Sequence, residues 1–322
     1  MAGVEPRDVS VEVTVTAHVI ASIDGAVTAL APGDRASFTL AQGDVLQIVA
    51  DAPTECGSGP ADMGVDPNTN QVVEIRTYCE LGPEYDLTGS ELHADGKLAV
   101  ISGHNCGFVP FHRWACDHQE EAIFPLQAWG QDYLVAMTEP LRDEPSVVRV
   151  LSGADGNQIH FEPAVTADVT LGRGEMIEFE VAEDFRVTGT GALLVAQFLV
   201  GQDYAGIATA GAMGLGDPSL SLAVPTEQFR RSYNVLAPGT FIQNYVNVIA
   251  RADAQVAIDG EPVTGFKPVG GTGMATARVA VDPGQHELES SDFFGVVSYG
   301  FGTYTSYMVP GGLDLTPINV VE

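Results

Sequence analysis

Helix signals are almost missing from this chain, and strand signals recur along its whole length. The runs VSVEVTVTAHV, SVVRVLSG, MIEFEV, ALLVAQFLV, NYVNVIA, ATARVAV and FFGVVSYG are rich in β-branched and aromatic residues. Gly, Pro, Asp or Asn bounds each of them. Such side chains fit a pleated surface and crowd a helix, because branching at Cβ leaves few rotamers beside the preceding turn. Many short strands punctuated in this way specify an all-β chain of sandwiches or barrels.

An internal repeat narrows the organisation further. FPLQAWGQDYLV (124–135) matches VPTEQFRRSYNV (224–235), with Pro125 on Pro225, Trp129 on Phe229 and Tyr133 on Tyr233. A second element, LxxG[DE]x[LI], occurs as LAQGDVL (40–46) and LGRGEMI (171–177), with VDPGQHEL (281–288) as a weaker third. The strand that follows gives KLAVISG (97–103), LLVAQFLVG (193–201) and FGVVSYG (294–300). The expected architecture is therefore about three tandem antiparallel β-sandwich-like modules, over residues 1–124, 125–224 and 225–322. The first copy lacks its opening strand, which predicts a chain cut from a longer exported protein.

The first copy also carries an insertion. Between Gly43 and Gly103 lie 60 positions, against 27 between Gly174 and Gly201. The surplus, within 51–85, is rich in Pro, Gly and Asn and contains Cys56 and Cys79. A disulfide closing this loop would stabilise the fold by about 3 kcal/mol through chain entropy. Long loops on rigid sheets are also where binding tends to reside.

The densest stretch is GHNCGFVPFHRWACDH (103–118), with two cysteines, three histidines and a tryptophan. If Cys106 and Cys116 are bonded across an antiparallel pair, side chains two residues away face one another on the same side. Phe108 then meets Trp114, His104 meets His118, Ser102 meets Glu120, Val100 meets Ala122 and Leu98 meets Phe124. The tip, VPFHR (109–113), becomes a five-residue loop. This reading makes Phe108, Pro110, Phe111, His112, Arg113 and Trp114 candidate binding residues. A rival reading uses the same geometry for chemistry. Imidazoles about 5 Å apart at His104 and His118, with Glu120 next along, would share zinc or copper and make a metal-dependent enzyme. They would equally make a pH-sensitive contact.

Charge limits the partners. The chain has 43 acidic residues against 14 basic, a formal −29, which repels nucleic acid and anionic membrane. No run approaches the ~18 apolar residues of a membrane span, and MAGVEPRDVS has no apolar core of a secretion signal. Four cysteines nevertheless suit an oxidising compartment. The expected location is secreted or cell surface, with any leader outside this sequence.

SGHNC…CDHQEEAIFPLQAWGQDY resembles the signature of the IgG Fc-binding protein N-terminal domain family. The matching positions are Gly103, His104, Cys106, Cys116, His118, Glu120, Pro125, Trp129, Gly130 and Tyr133. VPTEQFRRSYNVLAPGTFIQNYVNVIA and FGVVSYGFGTYTSYMVPGGLDL resemble the bacterial exported members of that family. Where many relatives read Glu-Gln-x-Pro-Pro, this chain has Glu121-Ala122-Ile123-Phe124-Pro125. The resemblance implies an extracellular, non-catalytic adhesive role and supplies no catalytic residues.

Other candidates are weaker. GGTG (270–273) lacks the Lys-Ser/Thr of a phosphate loop and reads as a turn. SGADGNQ (152–158) and HADGKL (93–98) have Asp-Gly turn chemistry and too few oxygen ligands for a calcium loop, leaving at most weak surface calcium. His286-Glu287 reads as a solvent-facing turn. Tyr299, Phe301, Tyr304 and Tyr307 read as packing or as a binding face. The function expected is extracellular binding of a protein or glycan without a resident cofactor. A metal enzyme at His104, His118 and Glu120, and a purely structural coat unit that associates end to end, are the alternatives.

Overall fold

The computed structural model describes residues 1–52, 61–65, 72–77, 79, 81–205 and 214–319. The all-β expectation holds: every regular element among the described residues is a strand or a three-residue 3-10 turn. The chain divides into two compact units, residues 1–61 with 76–102, and residues 62–75 with 103–322.

The smaller unit is built on Val9–Thr14, which lies between Arg35–Leu40 and Glu91–Ala94. Val9, Val11 and Val13 are buried and Ser10 is exposed. Strand side chains alternate in direction, so this period-2 pattern puts every valine on one face. Val15, Val19, Leu40 and Leu46 complete that core. Two tight turns flank Arg35–Leu40. At 41–44 the Asp44 carboxylate accepts the Ala41 amide at 2.9 Å and Gly43 has φ 88°. At 31–34 Asp34 does the same for Ala31 at 2.8 Å. The sequence motif marked only the first of these. Its counterpart at 172–175 uses Glu175, which accepts the Gly172 amide at 2.7 Å.

The larger unit holds two antiparallel sheets with the same strand order. Each is organised around one long strand, Phe185–Leu199 in the first and Gly284–Gly302 in the second. The first runs Val169–Leu171, Asn157–Glu162, the long strand, Ser146–Ser152, Met176–Val181. The second runs Glu261–Pro262, Val256–Ile258, the long strand, Gln243–Arg251, Met274–Ala280, Lys267–Pro268. An earlier and a later strand also pair with each long strand. Phe161, Phe185, Val187 and Val195 fill one core, and Val246, Val248, Leu288 and Phe294 the other.

The matching sequence elements become matching polar latches. A 3-10 turn begins after Pro125 and another after Pro225. Each leads into a strand with a register shift, at Gly130/Asp132 and at Arg230/Ser232. Past each shift a buried tyrosine bridges the irregularity. The Tyr133 hydroxyl accepts the Gly130 amide at 3.0 Å and donates to the Leu193 carbonyl at 2.5 Å. The Tyr233 hydroxyl accepts the Arg230 amide at 2.8 Å and donates to the Phe294 carbonyl at 2.5 Å. Burial pushes the Tyr233 phenol up to about 12, so each hydroxyl keeps the proton it donates.

A second polar cluster joins the two sheets. Asp184 accepts the Met137 amide at 2.7 Å and Arg278 Nη2 at 2.8 Å, and its other oxygen takes the Thr276 hydroxyl. Asn247 Nδ2 and Arg278 Nε both donate to the Met137 carbonyl, at 3.0 and 2.7 Å. The Glu139 amide donates to the Tyr299 hydroxyl at 2.8 Å. Residues 136–139 thus leave one sheet and are held by the other. His286 is not solvent-facing: its ring bonds the Asp259 carboxylate and the Asp282 carbonyl, each at 2.7 Å, with 12% of the side chain exposed.

Tyr133→Phe and Tyr233→Phe each orphan one buried amide and one buried carbonyl. Each should cost about 1–3 kcal/mol, read as a lower urea midpoint without a change in slope. An unchanged midpoint would show that the bulges close without the hydroxyls.

Candidate functional site: a disulfide-pinned hairpin

Ile101–Phe108 and Cys116–Ala122 form a two-stranded sheet. Three contacts fix its alignment. Cys106 and Cys116 are disulfide-bonded with Cα atoms 5.0 Å apart. The Phe108 and Trp114 rings lie 5.7 Å apart. Gly103 approaches the Gln119 carbonyl so closely that a Cβ would stand 2.3 Å from it, which only glycine avoids. All three agree with Cys106 opposite Cys116. The expected apolar base does not form. Leu98 pairs instead with Gly3 inside the smaller unit, packing against its valine core, and the second hairpin strand ends at Ala122.

The tip is docked, not free. Val109 is 7% exposed and packs with Val147, Val200 and Ala205. Its carbonyl accepts the Gly201 amide at 2.8 Å, and the Trp114 carbonyl accepts the Asp203 amide at 3.2 Å. The Arg113 guanidinium lies 4.9 Å over the Tyr204 ring, and that phenol donates to Glu180 at 2.6 Å. Phe108, Pro110, His112 and Arg113 are half-buried. Phe111 and Trp114 remain 44% and 38% exposed, and the His112 ring stands edge-on to Phe111 at 5.1 Å. A hydrophobic anchor seats the tip while Phe111 and Trp114 keep part of their surface exposed.

The three candidate metal ligands do not converge as a set. His118 Nε2 lies 3.4 Å from Glu120 Oε2, with both side chains largely exposed. His104 Nδ1 instead accepts the Cys106 amide at 3.0 Å. Among the described residues, no group of three or more His, Cys, Asp or Glu is placed to hold a metal ion. Cys79 is disulfide-bonded, while Cys56 and residues 53–60, 66–71, 78 and 80 of the insertion lie outside the described residues. Of the aromatic group near the end of the chain, Tyr299 and Phe301 are buried, with Tyr245 stacked on Tyr299 at 5.3 Å. Tyr304 is 51% exposed.

One group beside the docking turn carries no sequence signal. Asp217 is 4% exposed. Its amide donates to Ser306 Oγ at 2.9 Å, its carboxylate accepts the Gln202 amide, and its Oδ1 has no partner. Burial pushes its pKa up to about 7, against the pull of the Gln202 amide and with help from the charge of Asp117. Its carboxylate thus bears on the 201–205 turn, on which the hairpin rests.

A family model described as IgGFc binding protein matches residues 6–300. The chain belongs to this family. The "IgGFc-binding protein" of Homo sapiens is 24% identical over 261 residues, covering 78% of this chain and 5% of that relative. The chain thus spans about a twentieth of the curated relative's length. Two solved structures are similar at low level. An anti-sigma factor domain-containing protein matches 56% of this chain and 82% of its own, at 8% identity and TM-score 0.17. Another, from Clostridium clariflavum, has the same coverages, 11% identity and TM-score 0.18. At those scores neither bears on the fold of this IgGFc-binding family member.

A carboxyl raised to about 7 when folded binds more protons than the unfolded chain between its ordinary value and 7, so stability falls as pH rises through that window. Asp217→Asn removes the effect. It should raise the melting temperature at pH 8 relative to wild type and leave the difference near zero at pH 4. An equal difference at both pH values would rule out this titration.

Proposed function

We propose that this chain works at the cell exterior by binding another protein rather than by catalysis, with the disulfide-pinned hairpin as its contact surface. The observation that carries the reading is the pairing of a seated base with partly exposed aromatics. Phe111 and Trp114 are exposed on a loop that Val109 and Arg113 anchor to the sheet beneath. Rigid aromatic groups contribute much binding energy for little ordering cost, because they have few torsions to freeze. Membership of a family named for binding supports a protein-binding role. The Cys106–Cys116 bond suits an oxidising, extracellular setting. The human relative's name specifies immunoglobulin Fc; for this chain Fc is one partner among protein and glycan ligands that the reading admits.

In this proposal residues 125–224 and 225–322 are copies of one β-unit. Residues 1–124 are a third copy that adds the hairpin and the 51–85 insertion. The shared strand order and the twin tyrosine latches support it.

A Phe111→Ala/Trp114→Ala double variant should lose about tenfold or more of its capture of extracellular protein in pull-downs from the native milieu. Its urea midpoint should fall only modestly, because the disulfide and Val109 still hold the loop in place. Undiminished capture by a folded double variant would remove the hairpin from the binding surface.

A further inference from the structure

Where the two large sheets meet, a cavity of about 280 Å³ lies beside the 136–139 crossing. Much of its wall is apolar. Val181 and Leu199 come from the first sheet, Phe301 from the second, and Leu141 and Leu215 from connections between strands. Arg142, Asp143 and Ala182 also line it and are exposed, which puts its mouth at the surface. Val200 and Ala205 form a further wall. The same two side chains pack against Val109 of the hairpin tip, so the cavity adjoins the hairpin's seat.

Two polar groups on the wall lack partners. Thr138 is 8% exposed, and its hydroxyl has no hydrogen-bond partner among the described residues. Arg278 donates Nε to the Met137 carbonyl and Nη2 to Asp184, which leaves its Nη1 unpaired among the described residues. Neither atom is sealed inside the protein, so both are open to the cavity that their side chains line.

These groups define the occupant. Arg278 can only donate, and a hydroxyl can accept, so the complement carries both a C=O and an N–H. A peptide unit has both. Charge argues against an ionic head. Asp184 already neutralises Arg278, and exposed Arg142 stands beside exposed Asp143 on the rim, so an anion finds no net positive charge there. Size completes the argument. Sites for whole drug-sized molecules run from about 300 to 1,000 Å³, while a cavity of about 150 Å³ holds a benzene ring. This one lies between, with room for one large side chain and its peptide unit.

We infer that the cavity anchors one large apolar residue of a partner protein, Phe or Leu in size, with its side chain among Leu199, Leu215 and Phe301 and its peptide groups on Arg278 and Thr138. This rests on the chain being a protein binder and names what the partner inserts beside the hairpin. A buried apolar anchor next to exposed aromatic contacts is the usual make-up of a strong protein interface.

Ligand-observed NMR on the whole chain tests the cavity with three probes. N-acetyl-phenylalaninamide carries the side chain and both peptide groups, N-acetyl-glycinamide only the peptide groups, and N-acetyl-phenylalanine an anionic end. The first should bind at least about tenfold tighter than the second, the gain expected from burying a phenyl ring. It should bind about threefold or more tighter than the third. Thr138→Val keeps the shape of the wall and removes the hydroxyl, and should weaken N-acetyl-phenylalaninamide by about threefold or more. Ala182→Trp, at an exposed position on the mouth, should block that probe and lower capture of extracellular protein in pull-downs by about tenfold. Equal binding of the phenylalanine and glycine amides would overturn the inference. So would full capture by an Ala182→Trp variant that no longer takes the probe, because the cavity would then serve a free small molecule. If Ala182→Trp lowers capture while the Phe111→Ala/Trp114→Ala variant does not, the anchor stands and the hairpin falls as the contact surface.

Discussion

Two buried hydroxyls carry the frame on which everything else rests. A register shift in a central pairing leaves an amide and a carbonyl facing each other with no strand partner between them, and a buried orphan of either kind costs about 1–3 kcal/mol. Tyr133 and Tyr233 fill those gaps with one oxygen each, accepting from one side and donating to the other. The long strands of both sheets can then bend past the shift and continue. Phe185–Leu199 serves the first sheet in this way and Gly284–Gly302 the second. Without such a bridge, the early strand would have to align without its bulge, turning its apolar side chains to the wrong face.

The cluster around Asp184 shows how the sheets of the larger unit act as one body. Its carboxylate is held by an amide from one sheet and by Arg278 and Thr276 from the other. A charge in that position is tolerated because every oxygen has a donor and the guanidinium neutralises it. The hairpin inherits this stiffness. It rests on the 201–205 turn that follows the first long strand, so its aromatic tip is fixed relative to the sheet below.

Features written in local pattern were legible in the sequence, and features made by distant polar partners were not. The valines of VSVEVTV, the Pro-led turns at 125 and 225, and the proximity of Phe108 to Trp114 follow from alternation and spacing. So does the Cys106–Cys116 bond. The hairpin register that aligns Cys106 with Cys116 does not extend as far as Leu98. Its real partner, Gly3, is 95 residues away, and no periodicity links them. Asp184 with Arg278, 94 residues apart, and Asp217 beside Gln202 look in the sequence like ordinary surface charge. Arg113 reads as an exposed tip residue because nothing local announces Tyr204 beneath it. The turn at 31–34 could have been found, since Ala-x-Gly-Asp there repeats Ala-x-Gly-Asp at 41–44.

The placement of sulfur separates two properties that usually fall together. No cysteine occurs after residue 116, so the two large sheets owe their cohesion to tyrosine latches, apolar packing and a half-buried ion pair. A reductant has nothing to cut there. It would act on the staple across the hairpin and on the disulfide at Cys79, slackening the proposed contact element while the packing of the two sheets is untouched. Redox sensitivity is thus confined to the part of the sequence before residue 117, and the two large sheets lie beyond its reach.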